Sequence, residues 1–468
     1  MAMKAMGLFG GVQVAGIICS IVRTKLVALW IGPVGIGLFG IFNNALEMLS
    51  TGTNLGIRSS SVRDISQAMD QRDNSLIARM VTVVRRWSLW LGLAGATLTL
   101  LLAPLLSRFT FGDESHLWGF AALAIAVLLM ALTNGEYAVL QGTARLKRLA
   151  SVTLWGTVAG LAVSIPLFWW LREGSILPSI VAYAVAIAAF AWLFRNRDYP
   201  ATTVTRQQTW DMGKGFVRLG IFMTVGNFVT ILAGYVFNAW LNVHAGTGEV
   251  GYYQAGYTLV NKYTGLILTA LGMEYYPRLS RVADSRQRLR VYVSQEINVA
   301  MAVMAPVVAL FIVLRQVIVW LLYTPEFNVI LTFVSWGMVG TVFRTLSWCL
   351  AFTILARGDG KTYLWTEAAS AVINLLLNIV FYQWWGITGL GIAFMASYVL
   401  YTAIVVVVYR NIYHLSVSRA CLFNLLWTLV VAGSVMAAMQ LQCLPAAIII
   451  TVISLVVAAS LLRRLWQR

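Results

Sequence analysis

Charge is scarce in this sequence: Asp, Glu, Lys and Arg make up only 11% of its 468 residues, where an ordinary globular domain carries roughly 25%. Together with 60% hydrophobic residues and a mean hydropathy of +0.79, that deficit excludes a soluble globular chain. Cysteine and histidine are also rare. Cys19, Cys349, Cys421 and Cys443 stand far apart, and His116, His244 and His414 fall in separate connecting loops. Neither a disulfide framework nor a metal set is indicated. No G-x-x-x-x-G-K-[ST] phosphate loop occurs, which excludes a built-in ATPase domain. The RGDGK stretch from Arg357 to Lys361 reads as a turn, and no nucleophile–base pairing stands out, so the chain is not read as an enzyme. The opening MAMKAMG carries one lysine and no small-residue cleavage pattern, so its first span is expected to be retained.

What is abundant is apolar sequence. Runs of about 20 residues recur from end to end, each long enough to cross a hydrocarbon core of ~30 Å. The fold class expected is an all-α polytopic membrane protein of about fourteen transmembrane helices. The spans are 7–31, 34–58, 81–106, 117–140, 150–170, 176–194, 216–243, 250–275, 298–322, 328–355, 363–384, 388–409, 420–441 and 445–462. With both termini in the cytoplasm, 27 of the 34 cations fall in cytoplasmic segments, and only Arg108 and Arg172 fall outside. This is the positive-inside asymmetry of a bacterial inner-membrane protein. The net charge of +17 is therefore a topology signal with some attraction to anionic membrane lipids, not the footprint of a nucleic-acid partner.

The polar segment from Arg195 to Arg218 splits the first twelve spans into two sets of six. It predicts an N-terminal lobe over 1–200, a second lobe over 201–412 and an extra helix pair over 413–468, packed outside the bundle. A shift of 214 residues lays Gly32 on Gly246, Gly37 on Gly251 and Ser66 on Ser280. A six-helix repeat keeps its orientation, which puts a site at the interface of the repeats.

Five cations remain inside apolar spans: Arg23, Lys25, Lys262, Arg315 and Arg344. One at a helix centre costs about 2.5–3.5 kcal/mol unless it snorkels or is paired. Arg23 shares a face with Gln13, Gly16, Ser20 and Val27, so it is expected to look into the bundle. Lys25 lies about 200° away with Val14, Ile18 and Leu29, where snorkelling is the alternative. Lys262, beside Asn261, and Arg344 are the best cavity cations, whereas Arg315, near Trp320 and Tyr323, reads as an interfacial anchor. On the second span Asn43, Glu47, Ser50 and Asn54 share a face. Glu47 is a candidate for coupling to H+ or Na+, or a counter-charge, against the alternative of a polar seam between helices. Glu136, Glu274 and Glu367 are expected to form hydrated salt bridges with loop arginines. Several cations with few acids suit an anionic substrate, since arginine forks match phosphate.

The order and spacing of several patches resemble the bacterial polysaccharide transporters, the Wzx-type flippases of lipid-linked oligosaccharides within the multidrug/oligosaccharidyl-lipid/polysaccharide exporter superfamily. The patches are Lys25-Leu26 before Gly32-Pro33-Val34-Gly35, Glu249-Val250-Gly251 with Gln254, Tyr275-Tyr276-Pro277-Arg278, Trp336 with Val339-Gly340 and Arg344, and Tyr363 with Glu367. The likeness is nearest to the branch serving the enterobacterial common antigen lipid intermediate. The resemblance implies transfer of undecaprenyl-diphosphate-linked oligosaccharide from the inner to the outer leaflet by alternating access, for O-antigen, common antigen or exopolysaccharide synthesis. By position it assigns the diphosphate to Lys25, Arg58, Lys262 and Arg344; the helical-face argument adds Arg23. A polysaccharide polymerase and a chain-length regulator are the partners it suggests. The other readings are a multidrug/cation antiporter of the same superfamily, which should show an excess of embedded acids, and a membrane glycosyltransferase, which needs larger outer loops.

Overall fold

The computed structural model describes residues 2–71, 73–200 and 202–466, and among them it is helical with short connections. Of the cations counted above, Arg72 and Arg468 lie outside the described residues, as do the side chains of Lys4, Arg218 and Arg464. The helices are α1 (Ala2–Trp30), α2 (Pro33–Asn54), α3 (Ile57–Asp70), α4 (Asn74–Phe111), α5 (Leu117–Gly142), α6 (Leu146–Leu171), α7 (Ile176–Leu193) and α8 (Arg206–Ala245). There follow α9 (Thr247–Tyr257), a π turn (Thr258–Tyr263), α10 (Thr264–Ser280), α11 (Arg286–Leu322), α12 (Leu331–Ala356), α13 (Gly360–Asn411), α14 (Arg419–Gln440) and α15 (Leu444–Trp466). In hydrocarbon every backbone polar group must be satisfied within its own segment, which is why such a sequence folds this way. The protein is a multi-pass membrane protein. Ten stretches among the described residues are long and apolar enough to cross a bilayer. Two of these hold a pair of spans each: α6 with α7, and α13, which breaks at Gly386 (φ 58°, ψ −141°). With the more polar α2 and the α9–α10 rod, the tally matches the expected architecture of about fourteen spans.

Tryptophans mark the span ends. Trp118, Trp170, Trp192, Trp320, Trp365 and Trp384 are all more than half exposed and stand within a few residues of a helix end or kink. Amphipathic rings favour that headgroup level.

The chain divides into two compact units, Met1–Gly251 and Tyr252–Arg468. In the first, α3 is short and amphipathic; Ile57, Ile65 and Ala68 join Ile77, Val81, Val84 and Trp87 of α4 and Ala138 and Val139 of α5 in one buried cluster. The sequence pattern treats 34–58 as one span, but the helix ends at Asn54, because Leu55 (φ 46°) and Gly56 (φ 64°) are both left-handed. α3 therefore leaves α2 at an angle set by that break. The Asp73 carboxylate starts α4, accepting from the Ser75 and Leu76 amides at 2.9 and 3.2 Å.

Gly32 (φ 81°) and Gly246 (φ 88°), paired by the 214-residue shift, both adopt left-handed φ where one span hands over to the next. Gly37 and Gly251 are also a matched pair. A Cβ at Gly37 would lie 2.0 Å from the Thr247 carbonyl oxygen, and one at Gly251 would lie 2.0 Å from that of Pro33. The α2 and α9 starts cross so closely that only glycine fits.

In the second unit, α11 and α12 pack together, with Met304, Val308, Ile312, Met338 and Val342 fully enclosed. α14 and α15 pack against α11. The contact is bonded as well as apolar: Asn424 Nδ2 donates to Asn298 Oδ1 at 2.8 Å.

Candidate functional site

Each unit carries its own set of membrane-depth cations. In the first, Arg23 is held near the end of α1 between two ring faces: its guanidinium carbon lies 4.7 Å from the Phe39 centroid on α2 and 4.7 Å from that of Tyr183 on α7. A cation over an aromatic face gains ~0.5–1 kcal/mol when exposed and ~2 when desolvated. Arg23 is half-buried, so the pair of rings offsets much of the cost of placing it there. Arg23 thus points from α1 toward α2 and α7 of the same unit, the side expected from its helical face. Lys25, also half-buried, sits round the helix where Val14, Ile18 and Leu29 are 57%, 54% and 58% exposed.

Along α2, Phe39, Asn43, Glu47, Ser50 and Asn54 follow one face. Asn43 Nδ2 donates to the Phe39 carbonyl at 2.7 Å, Ser50 Oγ to that of Glu47 at 3.2 Å, and Thr53 Oγ1 to that of Leu49 at 2.8 Å. Bonding back to their own helix is how these side chains remain tolerable at membrane depth. Glu47 is exposed, whereas Asn54 is only 8% exposed and its enclosed Oδ1 has no hydrogen-bond partner among the described residues. Arg58 lies beyond the break, on the first turn of α3, with its guanidinium 4.8 Å from the Tyr137 ring centroid of α5. The break takes it off the helix that carries Asn43, Glu47 and Asn54.

In the second unit the cations gather at the π turn. Lys262 is on the turn itself and exposed. Arg344, near the middle of the 26-residue α12, reaches across to it. Its Nη1 donates to the Asn261 carbonyl at 2.9 Å and to Thr264 Oγ1 at 3.2 Å, and its guanidinium carbon lies 5.9 Å from the Tyr398 ring centroid. Asn261 Nδ2 donates to the Tyr257 hydroxyl at 2.7 Å. Thus Arg344, 82 residues on from Lys262 in the sequence, meets the backbone on either side of it, and Asn261, Lys262 and Arg344 form one constellation. Arg344 grips the backbone beside Lys262, and π turns recur at functional sites.

Other expectations fare unevenly. Arg315 does not act only as an anchor, because its Nη1 donates to Ser335 Oγ on α12. Glu136 does pair with arginine, but as a fork with Arg85 at 2.7 and 3.0 Å, with side chains only 14% and 18% exposed. Glu274 pairs with Arg278 one turn on. Glu367 pairs with no arginine among the described residues: the Tyr401 hydroxyl donates to its carboxylate at 2.7 Å, and Asn374 and Asn378 continue the polar seam toward Ser397. The π turn and the two rings around Arg23 went unforeseen. Aromatic residues make up 12% of the chain, too many on the other spans to single out Tyr183. Among the described residues no cluster of His, Cys, Asp or Glu could hold a metal ion.

A family model described as "Polysaccharide biosynthesis protein" matches residues 26–332 of this chain. The chain belongs to that family. It is 24% identical over 385 residues to the lipid III flippase of Escherichia coli K12, covering 81% of this chain and 90% of the relative, with the same figures for that of Shigella flexneri. Among solved structures it resembles the lipid II flippase MurJ in an inward closed conformation, at a TM-score of 0.73 and 12% identity with both chains fully covered. It also resembles an inward-facing multidrug resistance transporter of the MATE family and MOP superfamily, at 0.69 and 14%, covering 89% of this chain and 94% of that one. These two likenesses establish the fold, a polytopic bundle of membrane helices.

Proposed function

We propose that this member of the polysaccharide biosynthesis family is a flippase. It moves undecaprenyl-diphosphate-linked oligosaccharide from the cytoplasmic to the periplasmic leaflet of the bacterial inner membrane by alternating access, making no covalent change to its cargo. The observation that carries this reading is that each unit spends stabilisation on holding cations at membrane depth. Arg23 is held between two rings, and Arg344 is fastened beside Lys262 on the π turn. Charge so placed needs an anionic partner to be worth its desolvation, and a diphosphate carried on a lipid is such a partner. The curated relatives, whose name is lipid III flippase, support the same cargo class. In this reading Arg23, Lys25, Arg58, Lys262 and Arg344 bind the diphosphate and first sugars, with Asn43, Asn54 and Asn261 as polar lining.

The two six-helix lobes (1–200 and 201–412) carry transport, and the pair over 413–468 is an addition. Glu47 serves as a counter-charge or as a coupling site for H+ or Na+. O-antigen, common antigen and exopolysaccharide are the candidate pathways, with a polymerase and a chain-length regulator as candidate partners. A multidrug/cation antiporter is disfavoured because cations outnumber acids at membrane depth.

The test is reconstitution in vesicles holding a fluorescent undecaprenyl-diphosphate oligosaccharide, with leaflet exchange followed by a membrane-impermeant quencher. Protein-dependent exchange that is lost in Lys262→Ala is expected. Exchange no faster than in protein-free vesicles would overturn the reading.

A further inference from the structure

Beyond transport, we propose that the first unit holds a structural binding site for the phosphodiester of an anionic phospholipid. A cavity of about 390 Å³ opens at the arginine-rich end of the bundle, where Arg85, Trp192, Arg195, Asn196 and Arg197 meet. That size matches small-molecule sites, which run to roughly 300–1,000 Å³.

Three guanidinium groups line this cavity, and no carboxylate does so among the described residues. Its floor is rigid. Arg85 is clamped in a fork by Glu136, which lies behind it, and it also donates to the Asn196 carbonyl at 2.9 Å. Asn196 is fully enclosed, and its own amide donates to Thr143 Oγ1 at 3.0 Å. The other two arginines are held less tightly. Arg195 Nε stands 3.9 Å from Glu136, too far for a hydrogen bond. Arg197 is exposed, its guanidinium carbon 5.8 Å from the Trp192 ring centroid. Asp198 does not quench the pair, since it is engaged by Arg145 at 2.6 Å.

Depth decides the occupant. Trp192 and Leu193, the last turn of α7, are 62% and 55% exposed. An exposed Trp-Leu pair ending an apolar helix sits at the headgroup boundary, and Arg195 and Arg197 follow within five residues. Guanidinium groups at that level face lipid phosphate, and basic pockets between spans recur as headgroup sites.

The test is native mass spectrometry of the full chain in detergent, titrated with phosphatidylglycerol or phosphatidylcholine. Parallel arms add inorganic phosphate to lipid-free protein. Each guanidinium near a headgroup is worth roughly fivefold in affinity. Phosphatidylglycerol should therefore bind more tightly than phosphatidylcholine, about fivefold more weakly in Arg197→Gln, and roughly 25-fold more weakly in the Arg195→Gln/Arg197→Gln double variant. Arg410→Gln, an exposed arginine elsewhere with the same charge change, should leave binding unaltered. Equal losses in Arg410→Gln would reduce the effect to the general field of a basic protein and overturn the site. No preference for phosphatidylglycerol would do the same. Inorganic phosphate binding that matches the lipid and falls in the same variants would overturn the lipid as occupant. Arg197 carries no buried contact, so its single variant tests the site even if the double variant fails to fold.

Discussion

Replacing Arg344 by alanine tests how firmly this side chain holds the π turn. The side chain makes two bonds to the turn, at 2.9 Å to the Asn261 carbonyl and 3.2 Å to Thr264 Oγ1. Hydrogen bonds to a charged group contribute ~1.5–3 kcal/mol each. Against that stands the desolvation the arginine itself incurs, which its removal relieves. Asn261 also keeps the Thr264 amide as a donor, so no carbonyl is orphaned. The net loss expected for Arg344→Ala is therefore about 2–4 kcal/mol, read as a lower midpoint in SDS-titrated unfolding. Arg344→Lys keeps the charge and a donor but not the planar guanidinium that sets the direction of Nη1, so it should recover roughly half of the stability. In the exchange assay the alanine variant should be inactive, and the lysine variant should be slower than the parent. If Arg344→Ala unfolds within about 0.5 kcal/mol of the parent, the bonds do not hold the turn and the constellation is dismantled. Because the alanine variant is expected to lose both stability and transport, Lys262→Ala is the cleaner probe of cargo binding.

Three further outcomes can be checked. Tyr183→Leu and Phe39→Leu should each destabilise the first unit beyond their lost apolar area by ~1–2 kcal/mol, and the excess should vanish in an Arg23→Met background; a full additive loss in the double variants would rule out the ring clamp. Glu47→Gln should uncouple oligosaccharide exchange from a proton or sodium gradient, and exchange that still tracks the gradient removes coupling from Glu47. Lys25→Gln should lower the exchange rate if that side chain meets the diphosphate; an unchanged rate assigns it to snorkelling beside Val14, Ile18 and Leu29.

Much of this architecture is legible in the sequence because the bilayer imposes it. Apolar run length gives the rods, and the Gly32-Pro33 handover is written in residue types that suit only a turn. Gly32 and Gly246, which the 214-residue shift pairs, both take left-handed φ. What is not legible depends on a partner or on a single φ angle. Leu55 is a residue that seldom goes left-handed, yet it does so here and separates Arg58 from the helix of Glu47. Glu367 follows the Arg357–Lys361 turn in the sequence, but it meets Tyr401 because α13 folds back at Gly386 and brings its two arms together. Arg23 shows the opposite case. Its inward face follows from spacing on one helix, while the rings that receive it come from two others.

The π turn at Thr258–Tyr263 also changes how this segment is counted. A π turn holds about one residue more than an α turn, equivalent to a rotation of ~100° and a rise of ~1.5 Å. A single helical wheel drawn through 247–280 therefore merges two different faces, and the stripe leading into Lys262 does not continue along α10. A relative lacking the turn should align to this chain with a one-residue gap inside 258–263. Deleting one residue there should turn the segment into ordinary α-helix and leave the α10 side chains facing the same neighbours.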